Sequence, residues 1–166
     1  MKEIELQRGL VALVDDEDFK YLNQFKWNWV EGYNTFYCVR NITKEDGRKT
    51  QIRMHNVIMK TQKGMEVDHI NHDGLDNRKY NLRNCTHQEN CMNRLSERKP
   101  KSGFKGVYPI KGGNPHHWSA QISVNGKKER IGSFKTKEEA ALEYNRRAIK
   151  LHGKFAKLNL VNGEYW

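Results

Sequence analysis

The stretch Val67-Asp68-His69-Ile70-Asn71-His72-Asp73-Gly74-Leu75-Asp76-Asn77-Arg78-Lys79-Tyr80-Asn81-Leu82-Arg83 decides how this chain is read. It sets a carboxylate beside an imidazole at the end of an apolar strand and then turns back on itself. Asn81 follows His69 by twelve residues, and Asn90 follows Asn81 by nine. Between the two arms, Asp73 to Asn77 is a polar loop of residues that hydrogen-bond their own backbone in turns. Thr86 to Arg94 suits a short helix, with Thr86 as cap and Glu89 three residues on. Two strands and a helix in this order would bring Asp68, His69 and Asn90 to one place.

The chemistry such a set suits is phosphodiester hydrolysis. A hard divalent cation prefers oxygen donors and keeps several waters, so one carboxylate and one amide oxygen suffice to dock it. The cation stabilises charge that develops on the phosphate and the leaving oxygen. A neutral imidazole beside it can take the proton of an attacking water at neutral pH. Asn81 either orients that imidazole or braces the hairpin. An isolated Asp-His pair is more often structural than catalytic; the spaced set is what shifts the balance. Asn77 reads as a loop brace, His72 and His87 as solvated or in touch with phosphate, and His55 as a packing residue. Asn93, on the same helix, is the alternative to Asn90 as ligand.

Asp68-His69-Ile70, Asp76-Asn77-Arg78, Asn81-Leu82-Arg83 and Gln88-Glu89-Asn90 resemble the HNH endonuclease motif. The form is that of phage and intron-encoded homing endonucleases, in which Asn replaces the final His. The resemblance implies a ββα-metal finger that inserts against the minor groove of double-stranded DNA. It implies His69 as general base and Asp68 and Asn90 as ligands of one Mg²⁺ or Mn²⁺. Asn81 is then the middle letter of the motif, supporting the base.

Toward the N-terminus the chain reads as β-rich. Ile4 to Leu6 and Leu10 to Val14 are strand candidates, and the acidic stretch Asp15 to Asp18 opens a short helix carrying Phe19, Tyr21, Leu22 and Phe25. Trp27 to Val30, Phe36 to Ile42 and Gln51 to Met54 follow as strands between turns, and His55 to Lys60 as a short helix.

Toward the C-terminus, residues 96–103 have the charged, breaker-rich composition of a linker. Phe104 to Tyr108, Trp118 to Val124 and Lys127 to Phe134 then read as strands, with Asn125-Gly126 as a tight hairpin turn. A helix begins at the capping box of Thr136 and Glu139, carries Ala140, Tyr144, Ala148 and Leu151 as one stripe, and stops at Gly153. One helix covers one face of the sheet and leaves the other open.

Gly106-Val107-Tyr108, Trp118 to Ile122, Ile131 to Phe134, Glu138 to Ala141 and Leu158-Asn159 resemble the three-stranded DNA-binding domain of plant ethylene-response factors (the AP-two domain). That resemblance implies that the open sheet face enters the DNA major groove, with Lys105, Tyr108, Gln121, Ser123, Lys128 and Arg130 as contacts. Period-two geometry puts Gln121 with Ser123, and Lys128 with Arg130, on a common face. Tyr, Gln and Ser stand where the plant family uses Arg or Trp, so its base preference does not carry over. Arg146, Arg147 and Lys150 on the helix read equally as solvated surface or phosphate contacts, and Trp118 as partly core.

Charge follows the same division. Residues 1–93 carry 14 Lys/Arg and 14 Asp/Glu, whereas residues 94–166 carry 16 and 6, which is the whole net charge of +10. Positive charge so confined points to a polyanion-binding part. With 36% hydrophobic residues the chain can build small cores better than one large one. The three cysteines, Cys38, Cys85 and Cys91, are odd in number and not closely paired, against a disulfide framework or a four-ligand zinc site. No apolar run approaches the roughly 20 residues of a membrane span. No signal-peptide pattern opens the chain, so the expectation is an intracellular, cytoplasmic protein, in a bacterial host if phage-encoded.

The expected fold class is α+β. Residues 1–95 form the nuclease part, β-rich over 1–60 with the ββα-metal finger over 61–95. A linker at 96–103, a sheet packed on one helix at 104–160 and a tail at 161–166 complete it. The expected function is metal-dependent DNA cleavage of the homing type. A non-catalytic, sequence-specific DNA-binding regulator is the alternative. RNA is disfavoured as a partner because A-form helices hide the major groove.

Overall fold

The computed structural model describes residues 1–94, 100–110 and 117–165. The chain divides into two compact units, Met1–His87 and Gln88–Trp166. The class is mixed α+β, with small antiparallel sheets and four α-helices among the described residues. No described helix is long and apolar enough to cross a membrane.

In the first unit, β1 (Lys2–Glu5) and β2 (Val11–Val14) form an antiparallel pair, followed by α1 (Asp16–Leu22). Three strands, β3 (Asn28–Gly32), β4 (Thr35–Thr43) and β5 (Lys49–Arg53), make an antiparallel meander. Helix α2 (Met54–Met59) leads to the hairpin of β6 (Glu66–His69) and β7 (Leu82–Cys85), with His69 opposite Leu82 and Asp68 opposite Arg83. Ile4, Leu6, Ala12, Val14, Leu22, Trp27, Cys38, Met54, Ile58, Val67 and Leu82 close into one core. Trp27 is its largest fully buried side chain, and its indole N–H donates to the Leu22 carbonyl at 2.9 Å, so no polar atom is stranded there. The core explains why strands here are short: each contributes only its inward residues, and the meander, the first hairpin and the β6–β7 hairpin share one interior.

The second unit opens with α3 (His87–Asn93 in full, the first residue belonging to the other unit). Its sheet runs in the order β10 (Lys127–Phe134), β9 (Trp118–Val124), β8 (Val107–Pro109). Helix α4 (Lys137–His152) carries the capping box: Thr136 accepts from the Glu139 amide at 3.1 Å while Glu139 reaches back to the Thr136 amide. Ala140, Ala141, Tyr144 and Ala148 of α4 bury against Val107, Ala120 and Ile122 of the sheet. Small alanines let the helix approach closely.

Strand β8 begins at Val107 rather than Phe104. Gly106 has φ +76°, and a Cβ there would lie 2.3 Å from the Tyr144 ring and 2.5 Å from the Gln121 carbonyl. The backbone therefore turns before it joins the sheet. Of the expected linker, residues 96–99 lie outside the described residues. Pro100 to Gly103 form a turn, Gly103 N–H donating to Pro100 O at 2.8 Å. Ser102 is buried there and donates to Val107 O at 2.7 Å. The expected tail contributes to the core as well. Val161 is buried and pairs with Glu164.

Asn145, without solvent exposure, ties the end of the chain to α4. Its amide donates to Asn159 O at 2.8 Å and its oxygen accepts from Asn159 N at 2.7 Å. Replacing Asn145 by Ala is expected to cost about 2–4 kcal/mol, because buried backbone groups lose their partners. Urea denaturation followed by circular dichroism checks this; a loss below about 1 kcal/mol would show that the buried amide is dispensable.

Candidate active site

Asp68 and His69 end β6 and are both buried. The cross-strand register puts Arg83 directly opposite Asp68, and its Nε (2.8 Å) and Nη2 (2.5 Å) both donate to Oδ2 of Asp68. His69 sits in an aromatic recess. The His55 ring meets it edge to face at 4.9 Å and the Tyr37 ring tilts against it at 5.7 Å, with Tyr37 and His55 5.8 Å apart. Arg53 covers the outer side of the Tyr37 ring at 5.2 Å.

This recess sets the protonation state of His69. Burial holds His69 below the ordinary imidazole range, against the opposing pull of the polar Asn77 side chain and of the Asp68, Asp73 and Asp76 charges. His55, deeper still, is pushed down to about 3, by burial first and then by His69 and Arg53. Both rings are therefore neutral at physiological pH. A neutral imidazole retains the lone pair a general base needs.

The loop between the strands is held by its own polar groups and by bonds to β2 and β4. Asn81, buried, accepts from Asn71 N at 2.9 Å and donates to Asp76 O at 2.8 Å. Of the two roles open to Asn81, bracing the hairpin is the one its side chain performs. Asn77, also fully buried, donates to Leu75 O at 3.1 Å and to Gly74 O at 3.3 Å, so it braces the loop. Asp76 accepts from both ends of Arg78 (2.7 and 2.8 Å), from Asn71 (3.0 Å) and from Tyr80 (3.1 Å). Arg78 keeps the Asp76 carboxyl below the usual carboxylate range. Strand β2 flanks the loop, Leu13 N donating to Leu75 O at 2.9 Å and Leu13 O accepting from Asn77 N at 2.8 Å. Gly74 lies so close to β4 that a Cβ would stand 2.4 Å from Phe36 O.

In the second unit, Asn90 is half-buried and Asn93 buried, both on α3. Gln121 pairs with Arg130 and Ser123 with Lys128, so these four share the sheet face away from α4; Tyr108, opposite Ser119, adds an exposed ring. Glu129, pointing the other way, pairs with Arg147 of α4. Lys105 departs from the expected DNA contacts. Its ammonium donates to Met92 O at 2.7 Å and Arg94 O at 2.9 Å, which directs it to the end of α3. Burial, then the charge of Lys157, lowers it to about 8.

Sequence reading gave no role to Arg83, Tyr37 or Arg53. The signal for Arg83 was present, since pairing His69 with Leu82 forces Asp68 opposite Arg83. Tyr37 has no local signal, because it reaches the site through the meander. His55 was expected to pack, and what it packs against is the His69 ring.

The pattern of the HNH endonuclease family matches residues 55–92, from His55 to the helix that carries Asn90. An uncharacterised HNH endonuclease of Acanthamoeba polyphaga mimivirus is 31% identical over 160 residues, covering 93% of this chain and 78% of the viral protein. This chain belongs to the HNH endonuclease family. No solved structure matches it. As an HNH endonuclease it is a hydrolase, and the similarity to the viral protein extends through both units.

Among the described residues no three His, Cys, Asp or Glu side chains gather as metal ligands. The oxygen donors expected for a metal, Asp68 and Asn90, lie one in each unit. One carboxylate and one amide fit Mg²⁺ or Mn²⁺ with water completing the shell, and do not fit a thiolate- or imidazole-seeking ion.

The neutral imidazoles link stability to pH. An unfolded His55 titrates near its ordinary value, whereas the folded one does so at about 3. Between these values the unfolded chain binds the extra proton, so stability falls as pH drops. At about pH 5 the first unit should be about 2 kcal/mol less stable than at about pH 7.5 from His55 alone. Urea titrations followed by Trp27 fluorescence check this, and His55→Phe should flatten the dependence. An equally steep slope in that variant would remove His55 as the cause.

Proposed function

We propose that this protein is a metal-dependent DNA endonuclease of the homing type, encoded by a phage or other mobile element. The observation that carries the reading is the buried, neutral His69 beside Asp68, within the segment matched by the HNH family. His69 accepts the proton of the water that attacks the phosphorus, and the packed rings of His55 and Tyr37 hold its orientation. Asp68, anchored by Arg83 on one oxygen, and Asn90 would hold the Mg²⁺ or Mn²⁺. When bound, the ion supplies stabilisation of the charge on the scissile phosphate and the departing 3′ oxygen.

Double-stranded DNA is the proposed substrate, and the open face of the β8–β10 sheet is the proposed reader. Lys128 and Arg130 with Gln121, Ser123 and Tyr108 give that face cations, amide and hydroxyl donors and one aromatic ring. Such a mixture suits phosphate contact combined with base-edge hydrogen bonds. The resemblance to the ethylene-response-factor domain supports a major-groove role. A second reader makes physical sense, because a nuclease finger that touches mainly backbone obtains little sequence information.

Wild type, His69→Ala and Asp68→Ala should be compared on supercoiled DNA in Mg²⁺, Mn²⁺ and chelator. Cleavage should require the ion and fall about a hundredfold or more in either variant, while binding in chelator is unchanged. Equal loss of binding and cleavage would remove the assigned roles. Binding without cleavage by wild type would favour a regulator. Lys128→Ala with Arg130→Ala should reduce the salt dependence of binding by about two released counterions. An unchanged slope would place the DNA elsewhere.

A further inference from the structure

Helix α3 is shorter than any helix that holds itself in water. Its last carbonyls also lack intrahelical donors. Lys105 supplies them: its ammonium bonds Met92 O and Arg94 O at 2.7 and 2.9 Å, a cation at the end of a helix where the macrodipole is negative. At the other end, Gln88 Nε2 donates to Asn125 Oδ1 at 2.7 Å, in the turn of the β9–β10 hairpin. Lys105 is itself fixed by its backbone. Its N–H donates to Asn159 Oδ1 at 2.6 Å and its carbonyl accepts from Asn159 Nδ2 at 3.0 Å. Asn159 in turn is held by the buried Asn145 of α4. Between α3 and the sheet edge lies a recess of about 280 Å³ whose walls include Gln88, Met92, Lys105, Tyr108, Gln121 and Ser123.

We propose that Lys105 is a positioning residue for Asn90, clamping α3 to the β8–β10 sheet so that the metal-holding amide and the DNA-reading face move as one body. The proposal rests on the reading above in which Asn90 holds the ion. It assigns Lys105 a role different from that of a phosphate contact, and the two roles separate experimentally. A lysine on phosphate releases a counterion when it binds; a lysine on helix carbonyls does not.

The test uses the full chain as wild type, Lys105→Met, Lys105→Arg and Gln88→Ala. In chelator, the slope of log affinity against log salt for a random-sequence duplex should be the same in Lys105→Met as in wild type. A slope reduced by about 0.9 would make Lys105 a phosphate contact and overturn the proposal. The Mg²⁺ concentration for half-maximal cleavage should rise about tenfold in Lys105→Met, in the range lost when the partners of metal ligands are removed. The rate at saturating Mg²⁺ should stay close to wild type, and Lys105→Arg should restore most of the loss. Gln88→Ala, which loosens the other end with Lys105 intact, should move the requirement the same way. An unchanged metal requirement in both would overturn the proposal. Hydrogen exchange of the amides from Cys91 to Arg94 should accelerate in Lys105→Met, and unchanged protection would overturn the clamp itself. Because exchange is read without metal or substrate, it judges the clamp even if wild type cuts nothing, an outcome that would instead sink the nuclease reading.

Discussion

The buried carboxylate of Asp76 is the interaction on which the first unit depends. It gathers Arg78, Asn71 and Tyr80, its carbonyl takes the Asn81 amide, and its backbone bridges to Leu13 of β2. A polar loop crossing a protein interior must satisfy its own donors and acceptors, since water cannot. Here one side chain does most of that, and the loop acquires a single shape. Asn77 is then fixed on Leu75 O and Gly74 O, and Gly74 lies flat on β4.

The recess around His69 involves a compromise. Packing the ring against His55 and Tyr37 excludes water and keeps it neutral, while nearby Asp68, Asp73 and Asp76 pull the other way. Desolvation wins in that balance. The carboxylates still matter, because they stabilise the imidazolium that proton uptake creates. His55 meets the same burial with little carboxylate support, and it lies far lower. Two histidines in contact thus differ in use: one can cycle its proton, and the other is locked neutral as part of the wall.

What was legible in the sequence was local. The Asn125-Gly126 turn, the Thr136–Glu139 box and the alanine stripe of α4 each declare themselves within a few residues, and the strands and helix they bound form where expected. The hairpin of β6 and β7 was legible through the spacing of Asp68, His69 and Asn81. Long-range assembly was not. Nothing near Lys105 announces that its ammonium turns back to the carbonyls of Met92 and Arg94. Period-two reasoning covers side chains within strands, and Lys105 precedes one, beyond the turn at Gly106. Ser102 and Val161 were misjudged for a related reason. Charged or terminal sequence context resembles linker and tail, while burial is decided by what folds over it.

The clamp on α3 bears on how such proteins are recombined. Composition alone invites a cut in the charged stretch after Arg94, as if a reading module could be exchanged there like a cassette. Such a graft would strip α3 of Lys105 at one end and of the Asn125 turn at the other, since both lie downstream of the cut. The compact units divide upstream of Gln88, so the part that keeps both contacts is the sheet together with the helix before it. A chimera that respects this division keeps Lys105 and the Asn125 turn with α3.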